Sequence, residues 1–504
     1  MRSRSPRRAR GLFAASADSA GFRRATRRPR AAGAAPRTDL RGRAYTPERG
    51  RQRKGVALII AITALAILSV VLADMHQSTS TAFAIAATQR DQLRAEYSAK
   101  SGLNLTRLLV AKEPDIRRVV APYYQALIGR PPPMIPVWNI ADKLLKPFCD
   151  YEQAVGLDTG FDFSSAQGLG DTGASCQIVS FAENSKINVN APLNFSGDRA
   201  RRSIAMQLFA MMGGYQVQSR YDPLFQQQDR DGQYTSRIDA VGAIIDWWDF
   251  DVDRTVFDPG RAEVSNSGSE DDIYRRLDDP YDAKNAPFDS LEELRLVRGM
   301  GDDFWSTFVE PRPDDPQARI VTIYGSGSVN PNEAPPEVLL ARLCSYLEDQ
   351  PLCADPTEGA KFVQLLSTAR AMIPVPFFTR VHDFLHFVEG RGGPRDLYPM
   401  LQGFLGQESP LLFAPVTIPA DRRTEIDNSF VTAARIITID VTGRAGCRRP
   451  DGDGGCECDR EDDSCWRGRV RLNTVVNFHE RWTPPPPNAG SMPGLGIFHY
   501  YRVE

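Results

Sequence analysis

Histidine is scarce in this sequence, and the residue patterns of common enzyme classes are missing. Only five of the 504 residues are histidines. His382 and His386 have the i, i+4 spacing that binds zinc on a helix, but the Glu that a zincin carries after its first His is absent. We also find no nucleophile elbow, P-loop or dinucleotide fingerprint. The sequence therefore predicts that the protein is not an enzyme.

A long stretch near the N-terminus lacks both charge and helix-breaking residues. Residues 56–73 are apolar except for two hydroxyl side chains, and no Pro or Gly follows until Gly102. As a helix, this apolar stretch would be about 27 Å long, close to the hydrocarbon thickness of a membrane. The sequence predicts a single-pass membrane anchor that continues as a helix to about Lys112, before Pro114.

The order of residues around the anchor differs from that of a secretory signal. Such a signal has its small-residue cleavage site after the apolar stretch, whereas here Gly55 precedes it and follows Arg53 and Lys54. This order resembles the class III leader of type IV pilins and type II secretion pseudopilins. The resemblance implies cleavage after Gly55 by a prepilin peptidase and methylation of the new first residue, Val56. The alternative is a plain signal anchor with an incidental glycine.

The fifth residue of the implied mature chain narrows the resemblance. Pilins usually carry Glu there, and this sequence has Ile60. In that family the Glu is thought to neutralise the N-terminal amine of a neighbouring subunit inside the apolar filament core, where an unpaired charge is costly. A subunit that is first in the filament meets no such amine. Loss of the Glu, with Val-Ala-Leu at the start, resembles the K-type minor pseudopilin of type II secretion (general secretion pathway protein K).

Charge is divided unevenly along the chain. Residues 1–54 hold 17 Lys or Arg against three Asp or Glu, whereas the remainder holds 44 against 60. Basic residues before a span keep the N-terminus cytoplasmic, so we expect a protein of the bacterial inner membrane with its acidic bulk in the periplasm. Residues 1–50 are predicted to be disordered. We interpret them as an overlong leader or an upstream start codon; the alternative is an arm that binds nucleic acid or anionic lipid.

Eight cysteines in a chain outside the cytoplasm predict disulfides. Cys344 and Cys353 are close enough in sequence to bridge a short loop, and Cys149 and Cys176 are a second candidate pair. The other four lie in one Gly- and Asp-rich segment: Cys447, Cys456, Cys458 and Cys465. A zinc knot is the alternative there, but Cys-Glu-Cys lacks the usual two-residue gap and no His is nearby.

Strand-like sequence at two distant places indicates one domain interrupted by another. Strands are predicted at 176–190, 430–441 and 469–478, whereas residues 197–420 read mainly as helix. We predict an α+β fold in which a pilin-like N-terminal transmembrane helix packs on a small antiparallel sheet, with a large, mainly helical domain inserted between strands. This architecture resembles that of the K-type pseudopilins. The stripe expected to pack on the sheet is Leu93, Tyr97, Ser101, Leu105 and Leu109.

The predicted boundaries follow from these changes of pattern. They are 1–55 for the basic leader, 56–112 for the first helix, 113–196 for the first part of the pilin-like domain, 197–420 for the insertion, 421–482 for the second pilin-like part with a Cys-rich loop at 443–465, and 483–504 for an irregular Pro- and Gly-rich tail.

Acidic residues are densest between residues 239 and 285. The run Asp-Trp-Trp-Asp-Phe-Asp-Val-Asp starts at Asp246, and Gly-Ser-Glu-Asp follows at 268–271. Carboxylates this dense cannot sit together at neutral pH without a cation or much water, and oxygen ligands suit calcium above all. The spacing is not that of an EF-hand. The alternative is a solvated acidic loop.

The same motifs resemble the K-type signature, and the resemblance implies calcium bound in the helical domain. The best ligand candidates are the acidic and amide side chains Asp249, Asp251, Asp253, Glu270, Asp271 and Asn285. Asp246 is expected to lie along the helix side or behind the ligands.

Two further segments resemble half-motifs of helix-hairpin-helix modules, which bind DNA phosphates in other proteins. They are residues 290–301, with a predicted capping box at the start, and residues 329–340. Phosphate binding needs positive potential, yet the flanks are acidic and Arg295 and Arg298 are the only basic pair nearby. We interpret both segments as structural helix pairs. The alternative function is a membrane-anchored DNA receptor of a competence or type IV pilus system.

The resemblance implies assembly instead of catalysis. It predicts a minor pseudopilin at the tip of the type II secretion pseudopilus, needed for initiation and for export of folded proteins across the outer membrane. The expected partners are the I- and J-type minor pseudopilins, the inner-membrane assembly platform and the membrane, but not nucleic acid. An insertion of this size could not fit on every subunit of a tightly wound filament, which favours one copy at an end.

Overall fold

The protein is described by a computed structural model that covers most of the chain. The described residues are 54–149, 174–190, 198–214, 219–228, 232, 234–277, 279–312, 315, 318–372, 376–393, 396–406, 409–449, 462–479 and 494–504.

The chain forms two compact units, Met1–Thr79 and Ser80–Glu504. Helix α1 (Lys54–Ala111) begins in the first unit, where its side chains from Val56 onward are exposed. Among the described residues, its segment Val56–Ala111 is the one helix long and apolar enough to cross a membrane. The chain therefore carries one candidate single-pass anchor at the predicted place.

The second unit contains twelve further described helices, several of them a single turn. They are α2 (Glu113–Ile128), α3 (Ala141–Cys149), α4 (Asp198–Met211), α5 (Arg237–Trp248), α6 (Asp271–Tyr274), α7 (Asp302–Phe304), α8 (Pro336–Cys344), α9 (Pro351–Ala354), α10 (Pro356–Met372), α11 (Val381–Val388), α12 (Leu397–Leu405) and α13 (Ala420–Asn428).

The described strands fall into three sheets. They are β1 (Ala174–Ala182), β2 (Ile187–Asn188), β3 (Asp253–Asp258), β4 (Glu263–Ser269), β5 (Val321–Thr322), β6 (Ile436–Cys447), β7 (Trp466–Asn477) and β8 (Ile497–Val503). The largest sheet has the order β1-β6-β7-β8, β2 pairs with β5, and β3 pairs with β4.

The four-stranded sheet is antiparallel throughout, and a long segment leaves and re-enters it. Ile178 of β1 lies opposite Val441 of β6, which lies opposite Leu472 of β7. Residues 183–435 run between the neighbouring strands β1 and β6 and contain most of the helices. The predicted architecture, a helical domain inserted between strands of a small antiparallel sheet, is confirmed.

Three local predictions are wrong. Ile187 does not extend β1, because a 3-10 turn at Glu183–Ser185 redirects the chain into a parallel pair with Val321. The tail is not irregular throughout, since β8 is aromatic and β-branched and completes the sheet beside β7. The insertion is not helical throughout, since the segment predicted as mainly helical contains the hairpin β3–β4.

Helix α1 packs on the sheet through small residues. Ala95, Ala99 and Leu103 are buried in one cluster with Ile439 and Val441 of β6. The predicted stripe is displaced from this face. Its first members are exposed, Leu93 at 55% and Tyr97 at 69%, because Ala95 and Ala99, on the opposite side of the helix, let it approach the strands more closely.

Two glycines on the strands make this approach sterically feasible. A Cβ at Gly443 would lie 2.0 Å from the carbonyl oxygen of Ala95 and 2.7 Å from the amide nitrogen of Ala99. A Cβ at Gly468 would lie 2.5 Å from the carbonyl oxygen of Asp91. The backbone of the helix therefore rests directly on β6 and β7, at a distance that no other residue type allows.

Disulfides join adjacent elements of the second unit. Cys149 at the end of α3 is bonded to Cys176 of β1, and Cys344 of α8 is bonded to Cys353 of α9. Cys447 and Cys465 each take part in a disulfide. The other two candidates, Cys456 and Cys458, lie outside the described residues.

Replacing Gly443 with Ala should separate the helix from the sheet. Because the new methyl group would clash with the backbone of α1, we expect a loss of about 1–3 kcal/mol in the free energy of unfolding. Gly403 of α12 is the matched control, since a Cβ there meets nothing within 4 Å. Gly403→Ala should be neutral or stabilise by about 0.5–1 kcal/mol. Thermal unfolding of the detergent-solubilised chain measures both, and equal melting temperatures for the two variants would contradict the packing.

Candidate functional site: a buried carboxylate cluster

The candidate site begins with helix α5, which is capped at one end and acidic at the other. Ser236 accepts a hydrogen bond from the backbone N–H of Asp239, whose side chain accepts one from the N–H of Ser236, so both form a capping box. The helix is buried from Ala240 onward because its middle is apolar. It ends at Asp249, whose N–H donates to the carbonyl of Ile245 at 3.0 Å.

The β3–β4 hairpin is held against α5 by two contacts. A Cβ at Gly242 would lie 2.6 Å from the carbonyl oxygen of Thr255, so the strand lies directly on the helix. The backbone N–H of Thr255 donates to Oδ1 of Asp246 at 2.7 Å. These contacts place Glu270, the first residue after β4, beside the acidic end of α5.

Three carboxylates meet at this junction. Each of Asp246, Asp249 and Glu270 offers one oxygen atom, and these atoms lie within 4.8 Å of one another. All three residues are buried, with Glu270 only 1% exposed. Asp246 and Asp249 share a helix face because they are three residues apart.

The environment of the cluster disfavours the ionised form. Burial raises the pKa of Asp246 to about 6, of Asp249 to about 7 and of Glu270 to about 8, and the neighbouring carboxylates add to each rise. On the core side, Trp247 stacks with Phe288 and meets Tyr274 edge-on. This apolar wall explains the desolvation.

Several oxygen atoms at the cluster have no hydrogen-bond donor among the described residues. They are both carboxylate oxygens of Glu270, Oδ1 of Asp249 and Oδ1 of Asn285. Asn285 has a left-handed backbone (φ 49°), and its amide nitrogen donates to the carbonyl of Asp251 at 2.9 Å. Its amide is close enough to Glu270 to moderate the rise in that pKa. Three carboxylates therefore converge on one small volume, and the amide of Asn285 lies beside Glu270.

The remaining predicted ligands lie outside this cluster. Asp251 is partly exposed and contacts the guanidinium of Arg201. Asp253 is exposed at the start of β3. Asp271 is paired with Arg275 at 2.8 Å and accepts from the N–H of Ala283 at 3.1 Å.

Asp246 is the residue that the sequence prediction set aside and that the structure brings into the cluster. The i, i+3 spacing of Asp246 and Asp249 at the end of a helix is the signal that could have identified it. The arrangement of three buried carboxylates and an amide oxygen matches the ligand preference of a hard divalent cation.

Of the two segments that resemble helix-hairpin-helix modules, the first adopts another structure, whereas the second contains the start of α8, as predicted. Residues 291–296 form a 3-10 helix, and Ser290 makes no capping bond; Glu293 instead accepts from the N–H of Asp289 at 3.1 Å. Arg295 is paired with Asp302 and lies over the ring of Trp305. The arginine is therefore engaged within the protein, which disfavours a phosphate-binding surface there.

The pair of histidines on α11 is close in space. The ring centroids of His382 and His386 lie 3.8 Å apart, and burial lowers the pKa of His386. The acidic side chains beside them are used elsewhere, since Glu389 is paired with Arg423 at 2.9 Å and Asp383 lies 3.7 Å from Arg130.

Comparison with known proteins places the cluster inside a recognised segment. Residues 185–308 match the family described as Type II secretion system (T2SS), protein K. This segment includes α5, the β3–β4 hairpin and all four oxygen donors. No match was found among curated proteins.

A solved structure is similar to this chain over most of the length of both. It is the GspK-GspI-GspJ complex from the type 2 secretion system of enterotoxigenic Escherichia coli, with 12% identity, a TM-score of 0.37, and coverage of 77% of this chain and 98% of that chain. The comparisons therefore show a segment similar to type II secretion protein K at residues 185–308, where the carboxylate cluster lies.

Proposed function

We propose that this chain is a minor pseudopilin at the tip of the type II secretion pseudopilus, needed for its initiation and for export of folded proteins. The observation that carries the proposal is the family match over residues 185–308, the segment that holds the carboxylate cluster. The insertion of residues 183–435 between two neighbouring strands supports a position at the tip. Its bulk would obstruct close helical packing if every subunit carried one.

The proposed partners are the I- and J-type minor pseudopilins and the inner-membrane assembly platform. The apolar segment of α1 would supply the contact, because its side chains from Val56 to Ala73 are exposed in the single chain. In a membrane, helices of this kind associate by close packing of uncharged surfaces. Nucleic acid is not among the proposed partners, since Arg295 is already paired.

The proposed topology places the N-terminus in the cytoplasm and the second unit in the periplasm. The basic residues of 1–54 favour this orientation, and periplasmic oxidation suits the disulfides. The leader would be removed after Gly55, leaving a methylated Val56 as the first residue of α1.

Calcium is the proposed ligand of the carboxylate cluster. Asp246, Asp249, Glu270 and Asn285 would hold it. The three carboxylates converge, and the oxygens of Glu270 and Asn285 lack a hydrogen-bond donor among the described residues. The ion would supply the positive charge that lets the three carboxylates ionise while buried. Its role would be structural: it would join the end of α5, the end of β4 and the segment around Asn285.

Leader processing tests the pseudopilin class. Co-expression with a prepilin peptidase should give a chain that begins at methylated Val56, as measured by N-terminal sequencing and intact mass. Expression without the peptidase is the control and should give the unprocessed chain. An uncut chain in the presence of active peptidase, or a cut after Ala73, would contradict the assignment.

Assembly through the transmembrane helix tests the proposed function itself. Leu65→Asp should abolish co-purification with the I- and J-type pseudopilins from membranes, because a charge at mid-helix costs about 3 kcal/mol in the membrane. Leu65→Ala is the matched control and should retain the complex. If the Asp variant still co-purified, helix packing would not be the basis of assembly. DNA binding by the chain at low salt, in a mobility-shift assay, would instead favour a DNA receptor.

Calcium removal should destabilise the periplasmic part. Chelation should lower the melting temperature of the wild-type chain, and elemental analysis before chelation should find calcium. In Asp249→Asn the melting temperature should no longer respond to chelator, since a central ligand is lost. Asp272→Asn is the control, because Asp272 is exposed and outside the cluster. A wild-type chain with no bound metal and no response to chelator would exclude the calcium site.

A further inference from the structure

We propose that Arg201 is a built-in counter-ion of the carboxylate cluster and that it competes with calcium for it. This inference rests on the proposed calcium site. Arg201 would compensate the buried negative charge when the ion is absent and would lower the affinity for the ion when it is present. The site would then be tuned to exchange calcium instead of holding it permanently.

Arg201 reaches the cluster from a different element. It lies on α4, whereas the carboxylates lie at the ends of α5 and β4. Its guanidinium nitrogen Nη2 is 3.0 Å from Oδ2 of Asp249 and also contacts the carboxylate of Asp251. Nη1 donates to Oδ1 of Asn266 on β4 at 2.9 Å. Three contacts from two further segments fix the guanidinium beside Asp249.

Burial makes the contact electrostatically strong. The side chain of Arg201 is 14% exposed and that of Asp249 is 6% exposed, so water screens the pair weakly. The positive charge of Arg201 opposes the rise in the pKa of Asp249 that burial causes. In the absence of a divalent ion, Arg201 contacts Asp249 of the cluster, and the positive charge of Arg254 also favours ionised Asp246.

The same geometry makes Arg201 unfavourable for calcium. An ion bound by Asp249 would lie within a few ångströms of the guanidinium, and two cations at that distance repel each other. The repulsion arises whichever oxygen of Asp249 binds the ion. Removing the positive charge should therefore strengthen calcium binding and lower the stability of the metal-free protein.

The test is a calcium titration of the full chain in detergent after removal of metal, with wild type and three variants. Arg201→Gln should bind calcium more tightly, on the order of tenfold, and its melting temperature in chelator should fall by several degrees. Arg201→Lys keeps the charge, so its affinity should stay near that of wild type. Isothermal titration calorimetry and thermal unfolding provide the two readouts.

Arg202→Gln is the matched control. Arg202 is the next residue on α4, but it points to Glu348 at 3.7 Å and is 46% exposed. It should change neither readout. Unchanged or weaker calcium binding by Arg201→Gln, with a wild type that binds, would overturn the competition. Absence of calcium binding by the wild type would overturn the calcium site itself, and an unchanged melting temperature of Arg201→Gln in chelator would then also exclude the counter-ion role.

Discussion

The pairing of β1 with β6 is the contact on which the rest of the structure depends. It joins two strands that the whole of residues 183–435 separates, so its formation closes a very long loop. Polar residues reinforce this pairing at the root of the insertion, where the chain leaves and re-enters the sheet. The side chain of Glu183 contacts the hydroxyls of Thr322 and Thr438, and Asn184 accepts from the N–H of Arg435 at 3.2 Å. The chain is thus fixed where it leaves the sheet and where it returns.

Helix α1 depends on the same pairing. The helix backbone lies against Gly443 of β6 at Ala95 and Ala99 and against Gly468 of β7 at Asp91, and β6 is held between β1 and β7. Cys149–Cys176 adds a covalent link between α3 and β1 at the same site. Loss of register in this sheet would therefore also release the helix that carries the membrane anchor.

The contribution of the carboxylate cluster to stability depends on proton binding. Because burial raises the pKa of Glu270 to about 8, the folded chain binds more protons there than the unfolded chain, whose carboxyl titrates at about 4. Without a cation, this cluster costs stability progressively as the pH rises from about 4 to about 8. A bound divalent ion would remove that cost by favouring the ionised carboxylates. Proton and cation are thus alternative ways of neutralising one site.

Elements with a strong local pattern could be predicted from the sequence. The uninterrupted apolar run predicts α1, and alternation predicts much of β6 and β7. The packing face of α1 could not be predicted this way. Its leucines suggest one face of the helix, whereas the helix packs through Ala95 and Ala99, whose backbone is matched to Gly443. That match joins residues hundreds of positions apart.

The candidate site was predictable in location but not in membership. The density of acidic residues identifies the segment, yet Asp253 and Asp271 are excluded by a hairpin and by an ion pair with Arg275. Asp246 is included because β4 returns to the end of α5 and brings Glu270 with it. Which carboxylates converge is decided by the hairpin register, which the sequence spacing does not specify.

The inserted segment is stabilised by different interactions at its root, around Glu183 and Asn184, and at the carboxylate cluster. An inserted domain needs both a fixed shape and a fixed attachment to its sheet. At the root, hydroxyl groups donate to the carboxyl of Glu183, and the backbone N–H of Arg435 donates to the amide oxygen of Asn184. At the cluster, cohesion depends on a charge balance that Arg201 supplies in part and that a cation would complete. The root is therefore held by individual hydrogen bonds, whereas the charge balance of the cluster depends on protons and would change with a bound cation.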